Sequence, residues 1–205
     1  KKGIRVIESL DEIEIPESDE ETSYELAGPK VIIRSHGEGR ALYEKASAQG
    51  IQLIDATCPF VARIHHLVND TDKQVVIVGD RNHPEVLGIS GWCTKPAIIV
   101  SSYEEACGIA EDDLFVVTQT TIREQMLQDV LRALEDQGKK YQVNNTICNA
   151  TSRRQESCEK LAQDSDLMVV VGGKNSSNTK KLYEISKKSC ANSYFVENID
   201  DLPLK

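Results

Sequence analysis

A chain of 205 residues with 40% hydrophobic and 28% charged positions can hold one large or two small packed domains, and its composition excludes a disordered or fibrous protein. The formal net charge of −9 argues against a nucleic-acid-binding surface, and no apolar run approaches the roughly 20 residues needed to span a bilayer. Six cysteines (58, 93, 107, 148, 158 and 190) include no CxxC pair, so neither a disulfide framework nor a closely spaced zinc motif is expected, and the thiols read as reduced and cytosolic.

The first residues form no secretion signal, and a start at Lys1 without a Met reads as a trimmed or excised piece. Ile4, Val6 and Ile7 fit a short strand. Glu8 to Glu25 carries many carboxylates with little periodicity and reads as a solvated linker. From Val31 onward the chain alternates. Strands are predicted at Val31–Ile33, Gln52–Ile54, Val75–Val78, Ala97–Val100, Leu114–Val117, Gln142–Val143, Leu167–Val171 and Tyr194–Val196, most of them separated by helical patterns. Arg40–Gln49 is one such helix, closed by Gly50. Another opens at Thr121 with the capping-box pattern Thr121-Ile122-Arg123-Glu124, runs on an Ile122, Met126, Val130, Leu134 stripe, and closes at Gly138. A third opens near Ser177 or Asn178 and buries Leu182 and Ile185. The fold class is therefore α/β, with parallel sheets covered by helices on both faces, in two units dividing near Asn144–Cys148.

Asp55-Ala56-Thr57-Cys58-Pro59 organises the rest. It follows an apolar strand and precedes a helix whose Val61, Ile64, Leu67 and Val68 share a face, so Cys58 falls at the N-cap with Pro59 at the first helical position. A sulfur at the positive end of a helix dipole suits a nucleophile or a metal ligand, although a small buried residue is the commoner role. Cys148 repeats the arrangement. Cys158, placed on a face with Leu161 and Ala162, and Cys93, Cys107 and Cys190 read as core or incidental thiols. Two thiolates at helix N-termini point to a soft-metal or iron–sulfur site that lacks at least one ligand.

Ligands of parallel α/β sheets bind at the carboxyl ends of the strands, and the unusual polar residues fall there. They are Ser35-His36-Gly37, Asn82-His83-Pro84-Glu85, Thr118-Gln119-Thr120-Thr121, Ile147-Cys148-Asn149-Ala150-Thr151 and Gly172-Gly173-Lys174-Asn175-Ser176-Ser177-Asn178. Many of these are ordinary helix caps taken singly. The Gly172-Gly173-Lys174 loop lacks phosphate-loop spacing. Together, free helix N-termini, hydroxyls and amides suit an anionic phosphate group, with His36 and His83 as further donors. Glu85, one residue past a proline-fixed turn, is placed to give a proton. His65 and His66 read as helix-surface or packing residues.

These motifs, in order from about residue 31 to 182, resemble the IspH (LytB) family of 4-hydroxy-3-methylbut-2-enyl diphosphate reductases. The matching pieces include Arg34-Ser35-His36-Gly37, Asp55-Ala56-Thr57-Cys58-Pro59, His83-Pro84-Glu85-Val86, Thr118-Gln119-Thr120-Thr121, Ile147-Cys148-Asn149-Ala150-Thr151 and Gly173-Lys174-Asn175-Ser176-Ser177-Asn178-Thr179. The resemblance implies a cytoplasmic iron–sulfur oxidoreductase of isoprenoid biosynthesis, with a [4Fe-4S] cluster on three cysteines. It implies Cys58 and Cys148 as two cluster ligands, and His36, His83, Ser176, Ser177 and Asn178 as diphosphate and substrate contacts. It further implies Glu85 as proton source, Thr120 as its partner, and an electron donor such as ferredoxin or flavodoxin. Its three-lobed fold implies a remnant of a first lobe over 1–57, a second lobe over 58–146 and an incomplete third over 147–205.

The family's Gly-Phe-Cys-x-Gly-Val motif and Thr-Ala-Gly-Ala-Ser segment have no counterpart here. The expectation is an internal fragment that alone holds no normal cluster and is inactive. Two other readings stay open: a non-catalytic α/β module for a phosphorylated small molecule, and a thiol- or zinc-based redox regulator.

Overall fold

A computed structural model describes residues 3–14 and 29–202. The apolar runs become eight strands in three separate, wholly parallel sheets. The first sheet pairs β1 (Lys30–Ile33) with β2 (Gln52–Asp55), joined by α1 (Arg40–Ala48). The second holds β3 (Gln74–Val78), β4 (Ile98–Val100), β5 (Leu114–Thr118) and β6 (Tyr141–Val143) in the order β4-β3-β5-β6. The third pairs β7 (Met168–Val171) with β8 (Ser193–Val196). The remaining helices are α2 (Pro59–Asn69), α3 (Pro84–Ser90), α4 (Tyr103–Cys107), α5 (Glu124–Asp136), α6 (Asn149–Gln163) and α7 (Ser177–Ser189).

Only the four-stranded sheet is covered on both faces. Alternation along β3 and β5 sends Val76, Val78, Leu114 and Val116 toward α4 and α5, where Ala106, Leu127, Val130 and Leu134 meet them. Val75, Ile77, Phe115 and Val117 face the other way, onto Ile64 and Val68 of α2 and Val86 and Ile89 of α3. Strands buried on both sides need unbroken apolar runs, and Val75 to Val78 and Leu114 to Val117 provide them. In the order β4-β3-β5-β6 the chain leaves β3 in one direction and returns on its other side. The loops after β3 and β5 therefore open onto a topological switch point, the place where such sheets leave a crevice.

The two outer sheets are half-covered, against the expectation of helices on both faces. Leu10, Ala46 and Ile51 fill one side of the first sheet, while Ile32 and Ile54 on the other stay 52% and 47% exposed. Val169 and Val171 of the third sheet are likewise exposed. The predicted strand at Ile4, Val6 and Ile7 is not formed. Ile4 and Val6 lie open, and a 3₁₀ turn over Leu10–Glu12, closed by a Ser9/Glu12 capping box, anchors this segment instead. Most of the predicted acidic linker lies outside the described residues. Leu182 and Ile185 are half-buried rather than buried, because a two-stranded sheet offers α7 little cover; Thr179 and Ser186 are the buried positions. Leu161 is exposed, so the face predicted for Cys158 reduces to Cys158 and Ala162 against Met168 and Cys190.

Candidate active site

The two thiols are built alike. Cys58 is the N-cap of α2 and Cys148 the N-cap of α6, each half-buried, free, and without a side-chain capping bond. Three residues before each stands an Asx residue that folds the turn. Asp55 Oδ1 accepts the Thr57 N–H at 2.9 Å, and Asn145 Oδ1 accepts the Ile147 N–H at 3.1 Å. Each cysteine N–H then bonds across to a neighbouring loop: Cys58 to the Ser35 carbonyl and Cys148 to the Thr120 carbonyl, both at 3.0 Å.

Those receiving loops carry the polar residues. His36 follows Ser35, and its ring meets His83 edge-on with centroids 5.4 Å apart. His83 caps α3, its Nδ1 accepting the Glu85 N–H at 3.2 Å, which leaves Nε2 to carry the proton of a neutral ring. Glu85 is 3% exposed. Its two oxygens accept from Thr120, the backbone N–H at 2.6 Å and the hydroxyl at 2.9 Å. One unbroken path thus runs from Cys58 through Ser35, His36, His83, Glu85 and Thr120 to Cys148.

Ser177 joins from the first position of α7, after the third sheet's β7, its hydroxyl 3.2 Å from that of Thr121. Ser176 caps α7 by accepting the Thr179 N–H at 3.2 Å, and the helix presents its N-terminus beside Asn178. Two buried polar atoms here have no partner, Nδ1 of His36 and Oδ1 of Asn178. A buried donor or acceptor without a bond is unfavourable, and a polar ligand is one way to satisfy it.

Burial controls the titration of this crevice. It holds both imidazoles below their usual value, helped at His36 by Arg34 and at His83 chiefly by His36, so both rings are neutral at neutral pH. Burial pushes the Glu85 carboxyl up, and the two Thr120 bonds only partly offset it. A carboxylic acid kept protonated closer to neutrality is suited to giving a proton.

The sequence profile of the LytB protein family matches residues 1–205. The chain belongs to the LytB family. A relative named 4-hydroxy-3-methylbut-2-enyl diphosphate reductase, from Caldanaerobacter subterraneus subsp. tengcongensis, is 43% identical over 98% of this chain and 68% of its own length. The solved E-1-hydroxy-2-methyl-but-2-enyl-4-diphosphate reductase of Plasmodium falciparum superposes with a TM-score of 0.80 at 28% identity, over 86% of this chain and 58% of that one. A second solved structure, titled as (E)-4-hydroxy-3-methyl-but-2-enyl diphosphate reductase, the terminal enzyme of the non-mevalonate pathway, is 42% identical with a TM-score of 0.61, over 85% of this chain and 65% of that one. The chain thus spans 58–68% of the length of these proteins.

Against this family the donor set can be weighed. Among the described residues no group of three His, Cys, Asp or Glu is placed to hold a metal. Two soft thiols that make no side-chain capping bond are the kind of donors that fit part of an iron–sulfur ligand set. A groove of about 700 Å³, lined by Tyr103, Arg123, Met126, Asp129, Arg132 and Lys181 among others, includes none of the predicted site residues.

Two residues in or beside the crevice, Gln119 and Trp92, escaped the sequence reading, while His65 takes the packing role expected of it. Gln119 is buried, its Oε1 accepting the Asp80 N–H at 3.1 Å and its Nε2 donating to the Thr121 hydroxyl at 3.0 Å, so it ties the loop before His83 to the loop after β5. Its place inside Thr118-Gln119-Thr120-Thr121 was the available signal. His65 is buried and stacked on Trp92, whereas His66 is exposed. Trp92 lies in a loop and has no periodicity to announce it. The helix predicted at Thr121 instead begins at Glu124 behind Arg123, because the Thr121 hydroxyl is engaged by Gln119 and Ser177 rather than capping.

Proposed function

We propose that this chain carries out, as part of a 4-hydroxy-3-methylbut-2-enyl diphosphate reductase, the reductive removal of the allylic hydroxyl to give isopentenyl and dimethylallyl diphosphates. The overall change takes up two electrons and two protons and releases water. Cys58 and Cys148 are two thiolate ligands of the family's iron–sulfur cluster. When bound, that cluster supplies the electrons and a Lewis-acidic iron for the hydroxyl oxygen; the electrons come from a donor such as ferredoxin or flavodoxin.

The chain's own residues do the rest. Neutral His36 and His83, Ser176, Ser177, the Asn178 side-chain amide N–H and the free N–H groups of α7 bind the diphosphate, which satisfies the orphaned His36 Nδ1 as a donor. Glu85 gives its proton to the departing hydroxyl, with the Thr120 hydroxyl, 2.9 Å from its carboxyl, orienting that oxygen. The observation that carries this reading is Thr120 itself, whose N–H and hydroxyl hold Glu85 while its carbonyl holds Cys148. We further assign residues 1–57, 58–146 and 147–205 to three successive lobes, a division supported by three sheets that share no strand.

Anaerobic iron and sulfide reconstitution of this chain and of a longer chain matching the relatives' full length is the test. A cluster in the longer chain that is lost in Cys58→Ser and Cys148→Ser, with turnover lost in Glu85→Gln, is the expected result. No cluster in either chain overturns the reductase reading. It would favour the module for phosphorylated small molecules, which the incomplete ligand set also suits.

A further inference from the structure

The loop carrying His36 is clamped from outside the crevice by residues without an assigned role. Trp92, the chain's one tryptophan, lies just beyond the end of α3. Its indole Nε1–H donates to the Glu38 carbonyl at 2.8 Å, two residues after His36. Its ring stacks on buried His65 of α2, centroids 5.5 Å apart and planes 17° from parallel. Tyr43 of α1 meets it edge-on at 5.5 Å, and the Arg40 guanidinium covers it at 5.4 Å. Tyr43 in turn donates to Asp55 at 2.9 Å, the residue that folds the turn before Cys58.

That loop has no slack. Gly37 has φ +73°, and a Cβ there would sit 2.5 Å from His65 Cε1. A Cβ on Gly91, beside Trp92, would lie 2.7 Å from Cα of Gly39. One indole therefore ties the His36 loop to α2, which Cys58 caps, and through Gly91 to the end of α3, which carries Glu85.

We propose that Trp92 is a positioning residue for His36: its N–H on the Glu38 carbonyl and its ring on His65 set where the His36 imidazole stands to meet an anionic diphosphate. The inference rests on the reading of His36 as a diphosphate contact. A purely structural tryptophan would stabilise the fold but would not couple to His36.

The test is calorimetric titration of inorganic diphosphate into the chain, Trp92→Phe, His36→Ala and the double variant. Phe keeps an aromatic ring against His65 while removing the N–H donor and part of the indole, and urea unfolding of the variant is run alongside to check the fold. Trp92→Phe should weaken binding about fivefold, as the loss of one hydrogen bond does, and the double variant should bind no more weakly than His36→Ala alone. Wild-type affinity in Trp92→Phe, or additive losses, overturns the positioning role while leaving His36 a contact. Unchanged affinity in His36→Ala, or no binding by the unmodified chain, overturns the diphosphate reading and the proposal with it. The unmodified chain supplies a second readout, because saturating diphosphate should shift the emission of the single indole in wild type and not in His36→Ala. An unmoved wild-type spectrum overturns the link between ring and loop.

Discussion

Glu85 and Thr120 face each other across the switch point of the central sheet, joined by two hydrogen bonds at 2.6 and 2.9 Å, with Glu85 3% exposed and Thr120 6% exposed. The carboxyl comes from the helix after β3 and the hydroxyl from the loop after β5, two segments that the strand order makes neighbours. A titratable group set in this way has consequences for both stability and rate.

Glu85→Gln should abolish turnover and yet stabilise the fold at neutral pH. The folded chain holds the Glu85 carboxyl above its ordinary value, so wild type loses stability as pH rises from about 4.5 through the folded-state value. Glutamine can keep the bond from the Thr120 N–H and has nothing to ionise. Thermal unfolding of both proteins from pH 4 to 8 should show a gap that opens upward in pH; a gap that closes would contradict the assignment.

Thr120→Val should move the pH–rate profile upward. The Thr120 hydroxyl lowers the Glu85 carboxyl, so its removal leaves burial less opposed and the acid form persists to higher pH. The measurement is the pH dependence of kcat in the holoenzyme, with turnover reduced by a factor on the order of 10²–10⁴ if the hydroxyl takes part in proton transfer. An unshifted profile would place the hydroxyl outside the proton path.

His65 should contribute to acid sensitivity. Burial, partly opposed by Asp55, holds it at about 4 in the fold against 6.5 in the unfolded chain. Its contribution is complete above pH 6.5 and is lost as pH falls toward 4, by at most about 3 kcal/mol. His36 and His83 are depressed in the same sense and add to this slope, against the opposite slope of Glu85. His65→Gln should flatten its share, visible in urea midpoints measured at pH 7 and pH 4.5.

Gly37→Ala should cost about 1–3 kcal/mol, since it combines a left-handed backbone with a clash against His65. Gly138→Ala shares the backbone sign, φ +66°, but meets open space, so it should cost about 1 kcal/mol and leave ligand binding intact. Urea unfolding and diphosphate titration of the two variants separate strain from loss of the site.

All eight strands were legible because each is a short apolar run bounded by polar or glycine punctuation, and the cysteine caps because Pro59 follows one of them and both follow strands. Tertiary choices were not legible. Thr121 carries a perfect local capping pattern, and its hydroxyl nonetheless bonds to Gln119 and Ser177, a residue 56 positions away. Leu161 has helical spacing with Cys158 but no sheet to face, since β7 and β8 pair only with each other. The Trp92 cluster draws on α1, α2 and the end of α3 at once, and no local window contains it.

The unequal covering of the three sheets also orders the molecule in time. Amide protons of β3 and β5, sealed between two apolar layers, should exchange with solvent only when the whole domain opens. Those of β1, β2, β7 and β8, each strand paired on one edge with its sheet open on one face, should exchange through smaller and more frequent openings. Cys58 and Cys148 sit where the slow and fast regions meet, so each cysteine turn is anchored on one side by the durable central sheet while its flanks breathe.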